Sequence, residues 1–248
     1  MRGLNKAVSR QAFHRAPLNA LLKYFAYWKA EIGLRLRPPA PWVAVLGPDG
    51  SGKSSVLEAL EPRLARTFGA TKTYHWRPGF LYPPKGDGPV TDPHGEPPRG
   101  RLTSLLKLVF LFLDWTLGYW GHLVHLQAKG NIILFDRDYY DCLADPKRYR
   151  YGGSLRLVKL ISWFIPRPDL VILLDAPPGV LQARKQEVAF EEVIRQRKEY
   201  LKLVHNIPGG HVVDASTPLD DVIDEVEKII LDYVAGRTTR RLKPTETR

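Results

Sequence analysis

Cysteine is nearly absent from this sequence. Cys142 is the single cysteine among 248 residues, so the chain cannot form an internal disulfide, which suits a reducing compartment. The N-terminal stretch MRGLNKAV also lacks the long apolar core that a secretory signal needs. We therefore expect a cytoplasmic protein, and its N-terminal segment leaves membrane association open.

The middle of the chain lacks an excess of either charge. The chain carries 37 Lys and Arg against 26 Asp and Glu, a net charge of +11. Residues 1–38 hold eight bases and one acid, and residues 236–248 hold five bases and one acid, which leaves 24 of each sign between them. A nucleic-acid site would concentrate basic residues on the folded domain. We therefore expect no nucleic-acid partner.

The basic N-terminal segment has a helical apolar face. Its apolar residues are Leu18, Leu21, Leu22, Phe25, Trp28 and Ile32, and Lys23 and Lys29 lie off that face. Two interpretations stay open, a helix packed on the domain and a peripheral contact with a membrane or a protein partner. The prolines of RPPAP (37–41) end the segment. We expect a leader at 1–38, a domain at 39–235 and a basic tail at 236–248.

Within the domain, short apolar runs alternate with amphipathic ones. Five runs read as strands: WVAVLG, TYHW, NIILFDRD, DLVILLDAP and HVVDAS. Helices are expected from Gly52 to Gly69, Leu102 to Ala128, Ser154 to Phe164, Pro178 to Lys185, Phe190 to Asn206, and Pro218 to Tyr233 with a stop at Gly236. Continuous apolar strands, each followed by a helix, predict a three-layer α/β fold with a five-stranded parallel sheet.

Two segments raise separate questions. The apolar run from Leu105 to Leu126 is long enough to consider a membrane span, but Lys107, Asp114 and two histidines interrupt it, and charges inside a bilayer are costly. A buried helix is the favoured interpretation. Residues 78–101 hold seven prolines and five glycines, which indicates a long loop of the kind that forms lids or binding loops.

GPDGSGKS, residues 47–54, fits the phosphate-binding pattern G-x-x-x-x-G-K-[ST]. The glycines let successive backbone N–H groups point at an anion, and the following helix adds its positive end. Lys53 would reach the outer phosphates and Ser54 would offer a hydroxyl to Mg²⁺. Because the motif follows an apolar strand and opens a helix, it predicts an ATP-phosphate site. Its members are Gly47, Asp49, Gly50, Ser51, Gly52, Lys53, Ser54 and Ser55.

Three further features narrow the chemistry. The third strand ends in FDRD, which puts Asp136 and Arg137 at the sheet edge where ligands bind, with Asp136 as a magnesium ligand or proton acceptor and Arg137 as a phosphate contact. Arg77 follows the second strand and suits an anionic acceptor. Basic residues gather between two late helices, where they would form a mobile lid that stabilises phosphoryl transfer. They are Arg184, Lys185, Arg195, Arg197 and Lys198.

These residues resemble the thymidylate kinase-like branch of the nucleoside monophosphate kinases, from about Trp42 to Tyr233. The resemblance rests on GPDGSGKSS, WRPG, DRDYY and VVDASTPLDDV. It implies the P-loop kinase fold, ATP and Mg²⁺ as cofactors, and catalytic roles for Lys53, Asp136, Arg137 and Arg184. It further implies acceptor contacts from Asp49, Arg77, Arg137 and Tyr140, magnesium ligands Ser54 and Asp136, and an adenine loop at Ala215 and Ser216.

Other residues depart from the family pattern. Trp115 follows Asp114 where the family has arginine, the usual thymine contacts are missing from DCLADPKRYRYGG, and the 78–101 loop has no counterpart. Lys147, Arg148 and Arg150 offer a substitute anion clamp. We expect transfer from ATP to a nucleoside monophosphate, with a sugar or envelope-polysaccharide precursor, or a non-kinase ATPase, as alternatives. A GTP switch is disfavoured because no Asn-Lys-x-Asp element follows the loop. A homodimer stays open.

Overall fold

The computed structural model describes residues 17–83 and 94–242. Three parts of the sequence predictions therefore lie outside the described residues: the first sixteen residues of the leader, residues 84–93 of the long loop, and the last six residues of the basic tail. The side chains of residues 17–20 and 242 also lie outside it, including that of Leu18 in the predicted apolar face.

Five parallel strands form the sheet, as predicted. Their bounds are β1 Trp42–Leu46, β2 Thr71–His75, β3 Ile132–Asp136, β4 Leu170–Asp175 and β5 Gly210–Asp214. Their order is β2-β3-β1-β4-β5. The central strand β1 pairs Val45 with Asp136 on one side and Leu46 with Leu173 on the other. The carboxyl end of β1 therefore lies between the ends of β3 and β4, where ligands bind in such sheets.

Helices cover both faces of the sheet. They are α1 Pro17–Leu36, α2 Lys53–Leu64, α3 Arg101–Gly118, α4 Val124–Ala128, α5 Asp141–Ala144, α6 Leu155–Ser162, α7 Pro178–Arg184, α8 Phe190–His205 and α9 Leu219–Leu242. A π-helical segment, Tyr119–Leu123, joins α3 to α4. The short helix α5 was not predicted from the sequence, because it lies inside a segment that reads as a polar loop.

Successive strand residues face opposite layers. Val45 packs with Leu60 of α2 and Val226 of α9 in one core cluster. Its neighbour Ala44 faces the other way, where α3 and α6 pack. Both layers exclude water from the three inner strands β3, β1 and β4, whose continuous apolar sequences are explained by burial on both faces, whereas the edge strands β2 and β5 are partly exposed.

The central helix α3 has two different sides. Its inner side packs on the sheet, where the Trp115 ring stacks on Trp42 with centroids 5.5 Å apart and Asp114 is fully buried. Its outer side leaves apolar residues such as Leu106 and Leu113 exposed. By length and composition, Arg101–Ala128 is the one described helix that could cross a membrane. About 33% of its most apolar stretch is buried, so the favoured interpretation of a buried helix applies to the inner side and not to the outer side.

The last helix corrects one prediction. A stop was expected at Gly236, but α9 continues to Leu242. Arg237 donates to Asp169 Oδ1 and to the Pro38 carbonyl, and Arg241 donates to the carbonyl of Arg37 at 2.7 Å. These tertiary contacts outweigh the roughly 1 kcal/mol that glycine costs inside a helix. They also bring the basic C-terminal segment against the end of the basic leader.

Candidate active site

The loop between β1 and α2 is a tight turn in which the chain passes close to neighbouring backbone carbonyls. Gly47 and Gly50 have φ angles of 152° and 81°, and a Cβ at either position would lie within 2.7 Å of a backbone carbonyl. Both positions therefore require glycine. The loop delivers the chain into the first turn of α2 at Lys53, so the free N–H groups of the helix start face the same edge of the sheet as the loop.

Lys53 lies buried inside this loop. Its Nζ donates to the carbonyls of Gly47 and Pro48, both at 2.8 Å, and to Ser51 Oγ at 3.3 Å. Burial, and then the charge of Arg137, lower the pKa of Lys53, and nearby carboxylates offset part of the shift, leaving a pKa of about 8. The structure thus places a positive charge at the centre of the loop, where the sequence predicted it.

Ser54 and Asp136 meet across the start of α2 and the end of β3. The Ser54 hydroxyl donates to Asp136 Oδ2 at 3.1 Å, whereas Asp136 Oδ1 is buried without a hydrogen-bond partner. Burial alone would raise the pKa of Asp136, but His75, Lys53 and Arg137 hold it well below its ordinary value. A charged carboxylate with one unused oxygen beside a hydroxyl matches the oxygen ligands that Mg²⁺ prefers.

Arg137 is the centre of a buried ion-pair network. It follows β3 with a φ of 69°, an unfavourable backbone conformation for a large side chain. It donates to Asp141 Oδ2 at 2.9 Å and to Asp49 Oδ1 at 2.6 Å. Asp49 also accepts from Arg148. Burial alone would raise the pKa of Asp49, but Arg137, Lys53 and Arg148 hold it below its ordinary value.

Arg77 leaves β2 through a tight turn. Trp76 has a φ of 63°, and the N–H of Arg77 donates to the His75 carbonyl at 2.7 Å, which is a strained three-residue turn. The turn aims the Arg77 side chain at α3, where Nη1 donates to Asp114 Oδ2 at 3.0 Å. Asp114 also accepts the N–H groups of Gly79 and Leu81. One buried carboxylate therefore fixes both Arg77 and the start of the long loop.

The structure places two further predicted site residues, Arg184 and Tyr140, in contact with other parts of the protein. Arg184 donates to the Ala215 carbonyl at 2.7 Å, which joins the predicted lid to the predicted adenine loop, where Ser216 donates to Asp214. Tyr140, which stays a predicted acceptor contact, packs in a hydrophobic cluster with Tyr200 of α8. The reason is local, since the N–H of Tyr140 donates to the buried Asp138 carboxyl and the turn directs the ring into the core.

The basic residues of the predicted lid are mostly paired with acids. Arg197 makes two hydrogen bonds of 2.8 Å to Asp175 at the end of β4, and Lys185 pairs with Glu187 at 2.9 Å. Arg195 pairs with Glu192. Of the clamp suggested by the sequence, Arg148 joins the Asp49 network, whereas Lys147 and Arg150 pair with exposed or partly exposed glutamates.

Sequence reasoning missed a cleft beside Arg77. It is an open cleft between the end of β2 and the first half of α3, with a volume of about 680 Å³. Its lining includes Trp76, Arg77, Arg99, Lys107 and Phe110. The residues of α3 at this cleft are spaced three or four apart, which is the only signal that local sequence offers. Nothing in the sequence pattern ties them to β2.

His94 lies close to two carboxylates. Its Nε2 lies 2.9 Å from Asp145 Oδ1, and the two residues form a group with Glu192 in which ligand atoms lie within 4.8 Å of one another. Arg148 and Arg195 pair with the two carboxylates. The group therefore fastens the chain around His94 to α8 through balanced charges.

Comparisons with known proteins identify relatives that match most of the chain. No family model matches the chain. A thymidylate kinase from Xanthomonas euvesicatoria pv. vesicatoria is 30% identical, covering 82% of this chain and 89% of the relative. A probable thymidylate kinase from Pyrobaculum aerophilum is 26% identical over 76% and 95%. The crystal structure of thymidylate kinase from Ehrlichia chaffeensis matches with a TM-score of 0.55 and 18% identity, covering 78% and 100%; this likeness concerns the fold.

Proposed function

The chain belongs to the thymidylate kinase family and is an ATP-dependent nucleoside monophosphate kinase, and from that premise we propose which residues carry each part of the reaction. The observation that supports the assignment most strongly is the contact between Ser54 and Asp136 at the start of the helix that follows the phosphate loop. A sugar or polysaccharide precursor as acceptor, or a non-kinase ATPase, is not favoured, since the curated relatives are named as thymidylate kinases over four-fifths of the chain.

ATP is held by its phosphates in the P-loop. The backbone N–H groups from Gly47 to Ser55 and the Lys53 ammonium would surround the β- and γ-phosphates. The carbonyl contacts of Lys53 keep its side chain inside the loop, so a phosphate oxygen replaces them without movement of the backbone. Arg184 of the predicted lid donates to the Ala215 carbonyl of the predicted adenine loop. This hydrogen bond supports a role in which the lid and the adenine loop move together when ATP binds.

Magnesium would be held by Ser54 and Asp136. The fit rests on the unpartnered, buried Oδ1 of Asp136 and on the adjacent Ser54 hydroxyl, an oxygen set typical of Mg²⁺ bound together with nucleotide phosphates. When bound, the ion would neutralise charge on the transferred phosphoryl group. The charges of Lys53 and Arg137 keep Asp136 ionised for this purpose.

The acceptor would approach from the side of Arg77. An oxygen of its phosphate attacks the terminal phosphorus of ATP, the bond to the ADP oxygen breaks, and a nucleoside diphosphate and ADP result. Arg77 and Arg137 would supply positive charge to the acceptor and the transferred group. Their buried acidic partners fix both side chains in place, so little order is lost when the substrates bind.

The test is acceptor-dependent formation of ADP. Purified protein with ATP and magnesium is assayed against a panel of nucleoside monophosphates that includes thymidylate. We expect at least one acceptor to raise ADP formation far above the rate with ATP alone. An equal rate with and without every acceptor would contradict the kinase assignment and support an ATPase.

We propose that the leader makes a peripheral contact with an anionic membrane, next to a catalytic domain at 39–235. Two observations support this. Leu21, Leu22 and Phe25 of α1 are more than half exposed, and Arg237 and Arg241 bring the second basic end of the chain to the C-terminal end of the same helix. A helix with exposed apolar side chains and clustered cations at one end suits an anionic bilayer surface.

Liposome sedimentation tests this contact. The full chain should sediment with vesicles that contain anionic lipid and less with neutral ones, and the double substitution Phe25→Ser with Trp28→Ser should reduce sedimentation. Equal sedimentation of both proteins would contradict it. Cys142 is a free, buried cysteine. A single cysteine that forms no disulfide supports a cytoplasmic location for the catalytic domain.

We also propose a homodimer through the outer side of α3. Leu113 and Leu117 are exposed at 39% and 43% on that side, and clustered exposed apolar residues are typical of interfaces. The mass in solution measured by light scattering should be that of two chains, and Leu113→Lys with Leu117→Lys should halve it. A monomeric wild-type protein would contradict the dimer.

A further inference from the structure

The cleft beside Arg77 has the size and composition of a ligand site. Its volume of about 680 Å³ lies within the range of small-molecule pockets, roughly 300–1,000 Å³. Rings and cations face it together. The lining residues are Trp76, Arg77, Arg99, Thr103, Lys107 and Phe110.

Two of its cations have no acidic partner within residues 17–83 and 94–242, the part of the chain that the structure describes. Arg77 pairs with Asp114, but Arg99 and Lys107 form no ion pair among the residues that the structure describes. Lys107 Nζ donates to the Tyr149 carbonyl at 2.5 Å. It also lies 5.5 Å from the centroid of the Trp76 ring.

This pair of cations is unfavourable without an anion. Burial, and then the charge of Arg99, lower the pKa of Lys107 to about 8. Elsewhere in the active site the large cations have carboxylate partners: Arg137 with Asp49 and Asp141, and Arg148 with Asp49. A phosphate or carboxylate between Arg99 and Lys107 would supply the missing negative charge through charge-assisted hydrogen bonds.

We propose that Arg99 and Lys107 form an anion subsite of the acceptor cleft, and that the acceptor is a nucleoside monophosphate with a second anionic group on its sugar or base. The proposal rests on the proposed function, because that function makes this cleft the acceptor site. The rings of Trp76 and Phe110 line the same cleft and offer faces on which a base stacks. Thymidylate, the acceptor in the relatives' name, has no such second group.

The test compares matched pairs of nucleotides by calorimetry in the presence of a non-hydrolysable ATP analogue. Thymidine 3′,5′-bisphosphate is compared with thymidine 5′-monophosphate, and orotidine 5′-monophosphate with uridine 5′-monophosphate. The first pair adds a phosphate on the sugar and the second adds a carboxylate on the base. We expect one doubly anionic member to bind about tenfold tighter than its partner, because the added anionic group gains charge-assisted hydrogen bonds from the two cations.

Substitutions then assign this preference to the subsite. Lys107→Met and Arg99→Gln should each reduce the affinity ratio of that pair to about two or less. Lys129→Met is the matched control, since Lys129 is exposed at the end of α4, and it should keep the wild-type ratio. Thermal unfolding of each variant shows whether it is folded, and Arg99, which precedes α3, serves if Lys107→Met does not fold.

Two results would overturn the subsite: ratios near one for both pairs in the wild type, or a raised ratio that both variants retain. The proposed function is judged separately, by formation of ADP with plain monophosphates. A protein that shows the expected ratios but transfers no phosphoryl group would keep the subsite and lose the kinase assignment.

Discussion

The two halves of the active site treat positive charge differently. Around the phosphate loop, Arg137 and Arg148 are neutralised by buried carboxylates, and Lys53 is surrounded by loop carbonyls with Asp136 close by. In the acceptor cleft, Arg77 has a carboxylate partner, but Arg99 and Lys107 have none among the described residues. The first half is therefore neutralised by the protein itself, whereas the described part of the second half offers two cations that a ligand could neutralise.

The difference indicates that cations with carboxylate partners position a phosphate group, whereas cations without them recognise a particular acceptor. A phosphate chain that is always the same suits cations fixed by permanent partners. A cleft that must choose among acceptors gains selectivity when the ligand itself supplies the neutralising charge, because a ligand without it leaves the cations unpaired. Substitutions in the phosphate loop and in the acceptor cleft, made separately, test this difference.

The largest effect is expected on the ATP side. Lys53→Ala removes the cation at the centre of the loop, and we expect kcat/KM for ATP to fall about a thousandfold or more, since phosphoryl transfer depends on such charges. Steady-state kinetics measure it. Lys72→Ala, at an exposed position on β2, is the control, and full activity of Lys53→Ala would mean that the loop has been misinterpreted.

Asp114→Ala would remove the carboxylate partner of Arg77, so that Arg77 would resemble Arg99 and Lys107 in having no ion pair with a described residue. The change strands a buried guanidinium and two N–H groups, so we expect the free energy of unfolding to fall by about 3–5 kcal/mol. Chemical denaturation measures it, with Asp232→Ala on the exposed side of α9 as the control. A loss no larger than that of the control would show that Asp114 does not hold the β2 turn.

Asp136→Asn tests the magnesium ligand without changing the shape of the site. We expect turnover to fall about a hundredfold, because an amide cannot replace the charge of a magnesium ligand, while ATP still binds through the loop. Turnover and ATP affinity are measured in parallel. Unchanged turnover would assign Asp136 to structure alone, and loss of ATP binding would place it in the phosphate site.

The smallest effect is a pH dependence in the acceptor cleft. The pKa of Lys107 is about 8, below that of an ordinary lysine, so its ammonium is lost as pH rises through that value. Burial raises the pKa of the facing Cys142 and Tyr149, so neither group loses its proton together with Lys107. We expect the preference for a doubly anionic acceptor to decrease about threefold from pH 7 to pH 9.

Calorimetry at the two pH values checks this prediction. The phosphates of the bisphosphate probe are ionised throughout that range. A preference that stays constant, or increases with pH, would remove Lys107 from the subsite.

Local patterns in the sequence were sufficient for the sheet and the phosphate loop. The apolar runs around Val45 and Ile172 predict buried parallel strands. The motif GPDGSGKS predicts the conformation of the loop, because only glycine fits at Gly47 and Gly50. The place of Asp136 also followed, because the ends of parallel strands meet at one edge.

Long-range pairing was not predictable in the same way. Asp49 meets Arg148 across 99 positions of sequence, and Arg77 meets Asp114 across 37. The position of the Tyr140 ring depends on the turn set by Asp138, and the end of α9 depends on carbonyls near Pro38. Each depends on tertiary contacts that no local spacing encodes.

The most direct test follows the terminal phosphoryl group itself. ATP labelled in that group is incubated with magnesium, the protein and a panel of nucleoside monophosphates, and the products are separated. The label should appear in a nucleoside diphosphate formed from the acceptor, and Lys53→Ala should abolish this transfer. Label found only in inorganic phosphate, whichever acceptor is present, would contradict the kinase assignment.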